Sequence, residues 1–152
     1  MRILHISDFH FEDKNLLEYT DMVTSLCEAV KDKSIDIIVF SGDLVYKATQ
    51  KEYFDKVNDL LWKPLLAATG LSTNEILLVP GNHDVNRDVE ISAITTSLQN
   101  CNSWDSLNGF LKSERQLELS LERMKCYMDY VRDFYNGSTF EVAPFYVTNI
   151  IE

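Results

Sequence analysis

The chain has 152 residues, a net charge of −10 at pH 7 and an apolar fraction of 45%. This length and composition are typical of one soluble globular domain, and they exclude disordered and fibrous proteins. The acidic balance argues against a broad basic surface for nucleic acid, because phosphate backbones are held largely by lysine and arginine.

The first half of the sequence predicts strands that alternate with helices. Residues 2–6 are predicted as a strand, and residues 7–13 as a polar loop. Residues 14–33 carry apolar side chains three and four positions apart, which is typical of a helix that covers a sheet. Residues 35–40 predict a second strand, whose nearly continuous apolar character is typical of a parallel sheet. Within the first strand, His5 is expected to be a packed, hydrogen-bonded core residue.

The next segment repeats this order. Residues 50–69 predict a second helix, which Pro64 is expected to kink or interrupt. Residues 76–79 predict a third strand that ends at Pro80. Strands and helices in this order indicate an α/β domain with a mostly parallel sheet.

The second half is less regular. Residues 85–104 are rich in Ser, Thr and Asn and are expected to form a surface excursion. One long helix is predicted from about Ser106 to Tyr135. Residues 145–151 are expected to form a fourth strand, and the chain stops directly after it at Glu152. We therefore expect the chain to be the N-terminal part of a longer protein.

The three cysteines are widely spaced and include no CxxC pair. Their odd number favours reduced thiols over a disulfide framework, which predicts a cytoplasmic protein. No apolar run reaches the length of a membrane span, and the N-terminus lacks the apolar core of a signal peptide. We therefore expect no membrane partner.

Polar residues of metal-ligand type follow each predicted strand of the first half. They are Asp8, His10, Asp43, Asn82 and His83. In open α/β sheets, sites form outside the carboxyl ends of the strands, so these side chains can converge on one point. Carboxylate and amide oxygens suit Mn²⁺, and imidazole adds affinity for Fe, Zn or Ni. A mixed set without thiolate favours a hydrolytic metal site over a structural zinc.

The three strand-end motifs together resemble those of the calcineurin-like metallophosphoesterases. They read Asp8-x-His10, Gly42-Asp43 and Gly81-Asn82-His83-Asp84. The resemblance covers roughly residues 2–90. It implies that residues 1–152 form a single phosphoesterase domain, truncated at its C-terminal side. It also implies an αββα sandwich with a mostly parallel sheet, here incomplete and with a long inserted helix.

The resemblance implies a site for two divalent metal ions. Asp8 and His10 would bind the first ion, Asp43 would bridge both, and Asn82 would bind the second. In-line attack of a metal-bound hydroxide would then hydrolyse a phosphomonoester or phosphodiester.

Two further residues of the third motif receive catalytic roles by resemblance. His83 would protonate the leaving oxygen or stabilise the charge that develops on it. Asp84 would hydrogen-bond to His83 and fix the orientation of its imidazole.

The sequence departs from the family pattern after His83. The family also uses downstream histidines, including a Gly-His-x-His motif, whereas this chain has only His5, His10 and His83. The second ion keeps only Asp43 and Asn82. We therefore expect this chain alone to be weakly active or inactive, as the front half of a binuclear site.

Two other functions stay open. The chain could be a catalytically incomplete interaction or regulatory module, or part of a nuclease of the same superfamily. The acidic balance and the absence of Lys/Arg clusters weigh against the nuclease. The phosphoester substrate, the metal and the oligomeric state are not determined by the motifs.

Overall fold

The computed structural model describes residues 1–138 and 140–142, and the backbone of residues 147 and 148. The main sheet consists of parallel strands in the order β1 (Ile3–Ile6), β2 (Ile37–Phe40) and β3 (Ile76–Leu78). Its register pairs Ile6 with Phe40, and Phe40 with Leu78. The carboxyl ends of the three strands therefore lie side by side at one edge of the sheet. The predicted α/β class with a parallel sheet is confirmed.

Helices lie between these three strands and after the third one. The α-helices are α1 (Leu16–Val30), α2 (Lys51–Val57), α3 (Lys63–Thr69), α4 (Ser92–Gln99), α5 (Trp104–Leu111), α6 (Glu114–Leu121) and α7 (Lys125–Phe134). A separate antiparallel ribbon pairs β4 (Glu141–Val142) with β5 (Val147–Thr148). The strand predicted over residues 145–151 includes β5, and its remaining residues lie outside the described residues. No helix in the described part is long and apolar enough to cross a membrane.

The predicted interruption at Pro64 is confirmed. A π-helical segment, Asn58–Trp62, joins α2 to α3 and ends two residues before this proline. Proline lacks an N–H group, and its ring crowds the carbonyl group four residues earlier, which here belongs to Leu60. The wider π turn relieves this crowding, as single π turns inside helices do.

One face of the sheet forms the core. Ile38, Phe40 and Ile76 are each at most 1% exposed, because the helices cover this face. On the opposite face, Ile3 is 52% exposed. His5 shares that face, so the expectation of a core histidine is wrong. The side chain is exposed, but it does form a hydrogen bond, with Nε2 2.7 Å from the Ser41 hydroxyl.

The single long helix predicted over residues 106–135 is also wrong. These residues instead form the end of α5, then α6 and α7, with a 3₁₀ turn at Glu122–Met124. A new N-cap forms at Ser113, whose Oγ accepts a hydrogen bond from the Gln116 N–H group at 3.4 Å. The predicted surface excursion over residues 85–104 contains α4, in which Ile94 is buried.

Candidate metal centre

The ladder between β1 and β2 continues past the strands into the loops that follow them. The N–H group of Asp8 donates to the carbonyl group of Gly42 at 3.0 Å, and the N–H group of His10 donates to that of Asp43 at 2.9 Å. These bonds hold both loops in register beyond the end of the sheet. They place Asp8, His10 and Asp43 side by side at its carboxyl edge.

These three residues have an unusual backbone conformation. Asp8, His10 and Asp43 have φ angles of 58°, 49° and 61°. This left-handed conformation costs about 1–2 kcal/mol for each residue that has a Cβ atom. It persists only where surrounding contacts hold the chain, and such strain clusters at functional sites. The expected ligand positions thus coincide with strained backbone.

Two glycines bring the second and third loops into contact. A Cβ atom on Gly42 would lie 2.7 Å from Cα of Gly81, and one on Gly81 would lie 2.1 Å from Oδ1 of Asp43. Only glycine allows this approach. It also lets the N–H group of His83 donate to Oδ1 of Asp43 at 2.8 Å. The two motifs therefore lock together around the Asp43 carboxylate, whose side chain is only 14% exposed.

The buried side chain of Asp84 connects the same two loops by hydrogen bonds. It is fully buried, and its carboxylate accepts hydrogen bonds of 2.8–3.2 Å from the backbone N–H groups of Asp43, Leu44, Val45 and Gly81. Burial raises the pKa of the Asp84 carboxyl group, and the four backbone donors oppose that rise. Asp84 is thus a buried connection between the loops.

The expected hydrogen bond between Asp84 and the His83 imidazole is not formed. Nδ1 of His83 lies 2.7 Å from the carbonyl oxygen of Tyr46 instead. Because a carbonyl oxygen only accepts, Nδ1 carries the hydrogen and Nε2 is unprotonated in the neutral ring. The prediction was wrong about the orienting group because backbone donors already occupy Asp84. No side-chain motif reveals this role of Tyr46, since its main chain performs it.

The structure brings three of the predicted site residues into one cluster. Possible ligand atoms of His10, Asp43 and His83 all lie within 4.8 Å of one another. The cluster includes His83, to which the sequence assigned catalysis rather than metal binding. The rings of His10 and His83 are perpendicular, with centroids 4.7 Å apart.

The spacing of these donors fits a cation. Nε2 of His10 lies 3.5 Å from Oδ1 of Asp8 and 4.0 Å from Oδ2 of Asp43. Two ligands that share one ion at about 2.0–2.2 Å lie at most about 4.4 Å apart. The buried Nδ1 of His10 has no hydrogen-bond partner among the described residues.

The two other predicted ligands have exposed side chains. The Asp8 side chain is 65% exposed, and its Oδ2 accepts a hydrogen bond from the Ser7 hydroxyl at 2.5 Å. Asn82 is exposed and directly precedes His83. The roles of all these residues as ligands to particular ions stay predictions.

The sequence of this chain is similar to those of known proteins. The sequence profile of the calcineurin-like phosphoesterase family matches residues 1–145. The metallophosphoesterase-like protein YydB of Bacillus subtilis (strain 168) is 27% identical over 137 residues, which cover 88% of this chain and 28% of that protein. One of the subunits of the nuclease SbcCD from the same organism is 34% identical over 95 residues, 55% of this chain and 22% of that subunit.

The chain spans less than a third of the length of either relative. The family match covers nearly all of it, including the three strand-end motifs. The chain therefore belongs to the calcineurin-like phosphoesterase family.

Proposed function

We propose that the protein containing this chain is a metal-dependent phosphoesterase that hydrolyses a phosphomonoester or phosphodiester. The observation that carries the proposal is the cluster of His10, Asp43 and His83 at the level ends of three parallel strands. Strained backbone at the ligand positions and a buried carboxylate beneath them indicate that the fold is built to hold this cluster.

We assign the expected ligands to two ions. Asp8, His10 and Asp43 would bind one divalent ion, and Asp43 and Asn82 would contribute to a second. Such ions stabilise charge on phosphoryl oxygens and activate the attacking water. Because the chain spans less than a third of its relatives, we expect the remaining ligands of the second ion to come from the rest of the protein.

We expect His83 to transfer a proton. The Tyr46 carbonyl group accepts from its Nδ1–H group at 2.7 Å, which leaves Nε2 available for the reaction. In the imidazolium form, Nε2–H would donate a proton to the leaving oxygen of the ester. General acid catalysis of this kind contributes about 10²–10⁴-fold to the rate.

Hydrolysis of bis(p-nitrophenyl) phosphate by the full-length protein with Mn²⁺ tests this function. The Asp43→Asn variant should lower kcat/KM by about 100-fold, because it removes an expected metal ligand. His83→Ala should lower the rate for an alkyl phosphodiester much more than that for bis(p-nitrophenyl) phosphate, because p-nitrophenolate leaves without a proton. The exposed Asp32→Asn variant is the matched control and should keep both rates. A wild-type rate in Asp43→Asn would overturn the proposal. A protein that binds no metal and shows no turnover would instead support a catalytically incomplete interaction or regulatory module.

A nuclease is the second candidate function. The observation in its favour is the 34% identity to a component of the SbcCD nuclease over 95 residues. Digestion of single-stranded and duplex DNA oligonucleotides would distinguish the two proposals. Cleavage of DNA at a higher kcat/KM than that for bis(p-nitrophenyl) phosphate would favour the nuclease.

A further inference from the structure

A small hollow opens beside His83, next to the candidate metal centre. Its volume is about 130 Å³, and its polar lining includes Lys47, Thr49, His83, Asn86, Arg87 and Asp88. This volume corresponds to roughly four water molecules in the liquid. It can accommodate a group of phosphate size. Since His83 is the expected proton donor, the hollow lies on the side of the leaving group.

Two cations of the hollow are free to bind an anion. Within the described residues, neither Lys47 nor Arg87 forms an ion pair, whereas five of the other twelve lysines and arginines do. The chain as a whole carries ten net negative charges, and two of its cations lie at this hollow. The acidic residue of the lining is Asp88, which is exposed at the surface.

The position of Arg87 is determined by its neighbours. The N–H group of Asp88 donates to Oδ1 of Asn86 at 3.0 Å, which closes a tight turn with Arg87 at its tip. Arg123 holds this turn at both ends. Its carbonyl group accepts from the Asn86 N–H group at 2.8 Å, and its Nε–H group donates to the carbonyl group of Val89 at 2.8 Å.

Lys47 is held equally well on the other side of the hollow. The preceding residue, Tyr46, donates its N–H group to the Phe11 carbonyl group at 3.0 Å and accepts from His83. The following residue, Ala48, is 1% exposed. The backbone of Lys47 is therefore anchored on both sides, while its side chain is exposed. Both side chains extend from a backbone that is already fixed, so anion binding has to order the two side chains and not the loops that carry them.

We propose that this hollow binds a second phosphate group of the substrate, carried by the leaving group beside the scissile phosphoryl group. The inference rests on the proposed phosphoesterase function, whose substrate class it narrows to esters that bear two phosphates. Lys47 and Arg87 bind the second phosphate through charge-assisted hydrogen bonds, and Thr49 and Asn86 line its site. Asp88 weakens the positive field at the rim and limits binding of anions in general.

Calorimetry with the Mn²⁺-loaded full-length protein tests this site. The ligands are thymidine 3′,5′-bisphosphate, thymidine 3′-monophosphate and thymidine 5′-monophosphate. We expect the bisphosphate to bind at least about tenfold more tightly than either monophosphate. Equal affinities, or no binding of the bisphosphate, would overturn the inference.

Variants identify the residues responsible. Lys47→Ala and Arg87→Ala should each remove most of the bisphosphate advantage, whereas Asp88→Asn should increase it. The exposed Lys31→Ala and Arg115→Ala variants are matched controls and should retain it. If the Lys47 and Arg87 variants keep the advantage, the hollow is not the second phosphate site.

The outcome is separable from that of the proposed function. Tight bisphosphate binding without hydrolysis of bis(p-nitrophenyl) phosphate would keep the second phosphate site and reject the phosphoesterase. Hydrolysis of bis(p-nitrophenyl) phosphate without tighter binding of the bisphosphate would keep the phosphoesterase and reject the second phosphate site.

Discussion

Asp84 accepts a hydrogen bond from the backbone N–H group of Asp43 at 2.8 Å, which joins two loops 41 positions apart in the chain. One buried carboxylate thus positions the backbone of an expected metal ligand. It does so without a hydrogen bond to the His83 ring, although it is the next residue in the chain.

The Asp84→Asn variant should be markedly less stable. An amide has one accepting oxygen and a donating NH₂ group, so part of the four backbone donors would be left buried and unpaired. Each unpaired donor costs about 1–3 kcal/mol, so we expect the free energy of unfolding to fall by about 2–4 kcal/mol. Urea unfolding followed by circular dichroism measures this. Asp59→Asn, on an exposed side chain, should change it by less than about 0.5 kcal/mol. Equal stability of the two variants would contradict the role of Asp84.

The Gly81→Ala variant should damage the site itself. Its Cβ atom would lie 2.1 Å from Oδ1 of Asp43, so the carboxylate or the loop must move. We expect at least about a tenfold loss of Mn²⁺ affinity, since changes in the support of a ligand cost about 10–100-fold. The matched control is Gly109→Ala in α5, which has nothing within 4 Å of the new Cβ atom. It should raise stability by up to about 1 kcal/mol and leave metal affinity unaltered. Equal metal affinity in both variants would count against the close approach.

His83 should carry its hydrogen on Nδ1 in the neutral form. The carbonyl group of Tyr46, 2.7 Å away, can only accept. Nitrogen-15 NMR of the imidazole distinguishes the two tautomers. A neutral ring protonated at Nε2 would show that Tyr46 does not orient His83.

Stability should fall as the pH rises above about 10. Burial raises the pKa of the hydroxyl groups of Tyr127, Tyr130 and Tyr135 above the ordinary value of about 10. Above that pH the unfolded chain loses these protons while the native chain keeps them. The unfolded state then binds fewer protons, so the free energy of unfolding decreases with pH. Urea titrations at several pH values measure the slope, and a flat profile would contradict the burial of these hydroxyl groups.

Replacement of Tyr135 separates the stabilisation by its hydrogen bonds from the effect of its ionisation at alkaline pH. Its hydroxyl group donates to the Ile76 carbonyl group at 2.9 Å and accepts from the Leu78 N–H group at 3.1 Å. Tyr135→Phe should therefore lower stability at neutral pH by about 1–3 kcal/mol and flatten the alkaline slope. Tyr127→Phe is the matched comparison, because that hydroxyl group has no hydrogen-bond partner in the described residues. It should flatten the slope with a smaller loss at neutral pH.

The strand ends could be predicted from sequence because their signal is local. An apolar run followed by Asp8, His10 or Asp43 marks both the strand and the residues beyond its carboxyl end. The parallel register then brings these ends together. The interruption at Pro64 is equally local, since it follows from one ring and one missing N–H group.

The errors concern contacts with groups that a sequence pattern does not show. Asp84 accepts from four main-chain donors, three of them in another loop, so the absence of its hydrogen bond to the His83 ring could not be predicted. His5 was assigned to the core because the first strand is apolar, but its face of the sheet is exposed. The break at Ser113 was missed because the apolar spacing continues across it from α5 to α7.

Metal binding by the 152-residue chain tests the central claim most directly. Isothermal titration with Mn²⁺ or Zn²⁺ should detect binding at neutral pH, and the affinity should fall by at least about tenfold in Asp43→Asn and His10→Ala. Asp32→Asn is the matched control and should bind as the wild type does. Absence of binding in the wild-type chain, or equal binding in all four proteins, would contradict a metal centre at the ends of these strands.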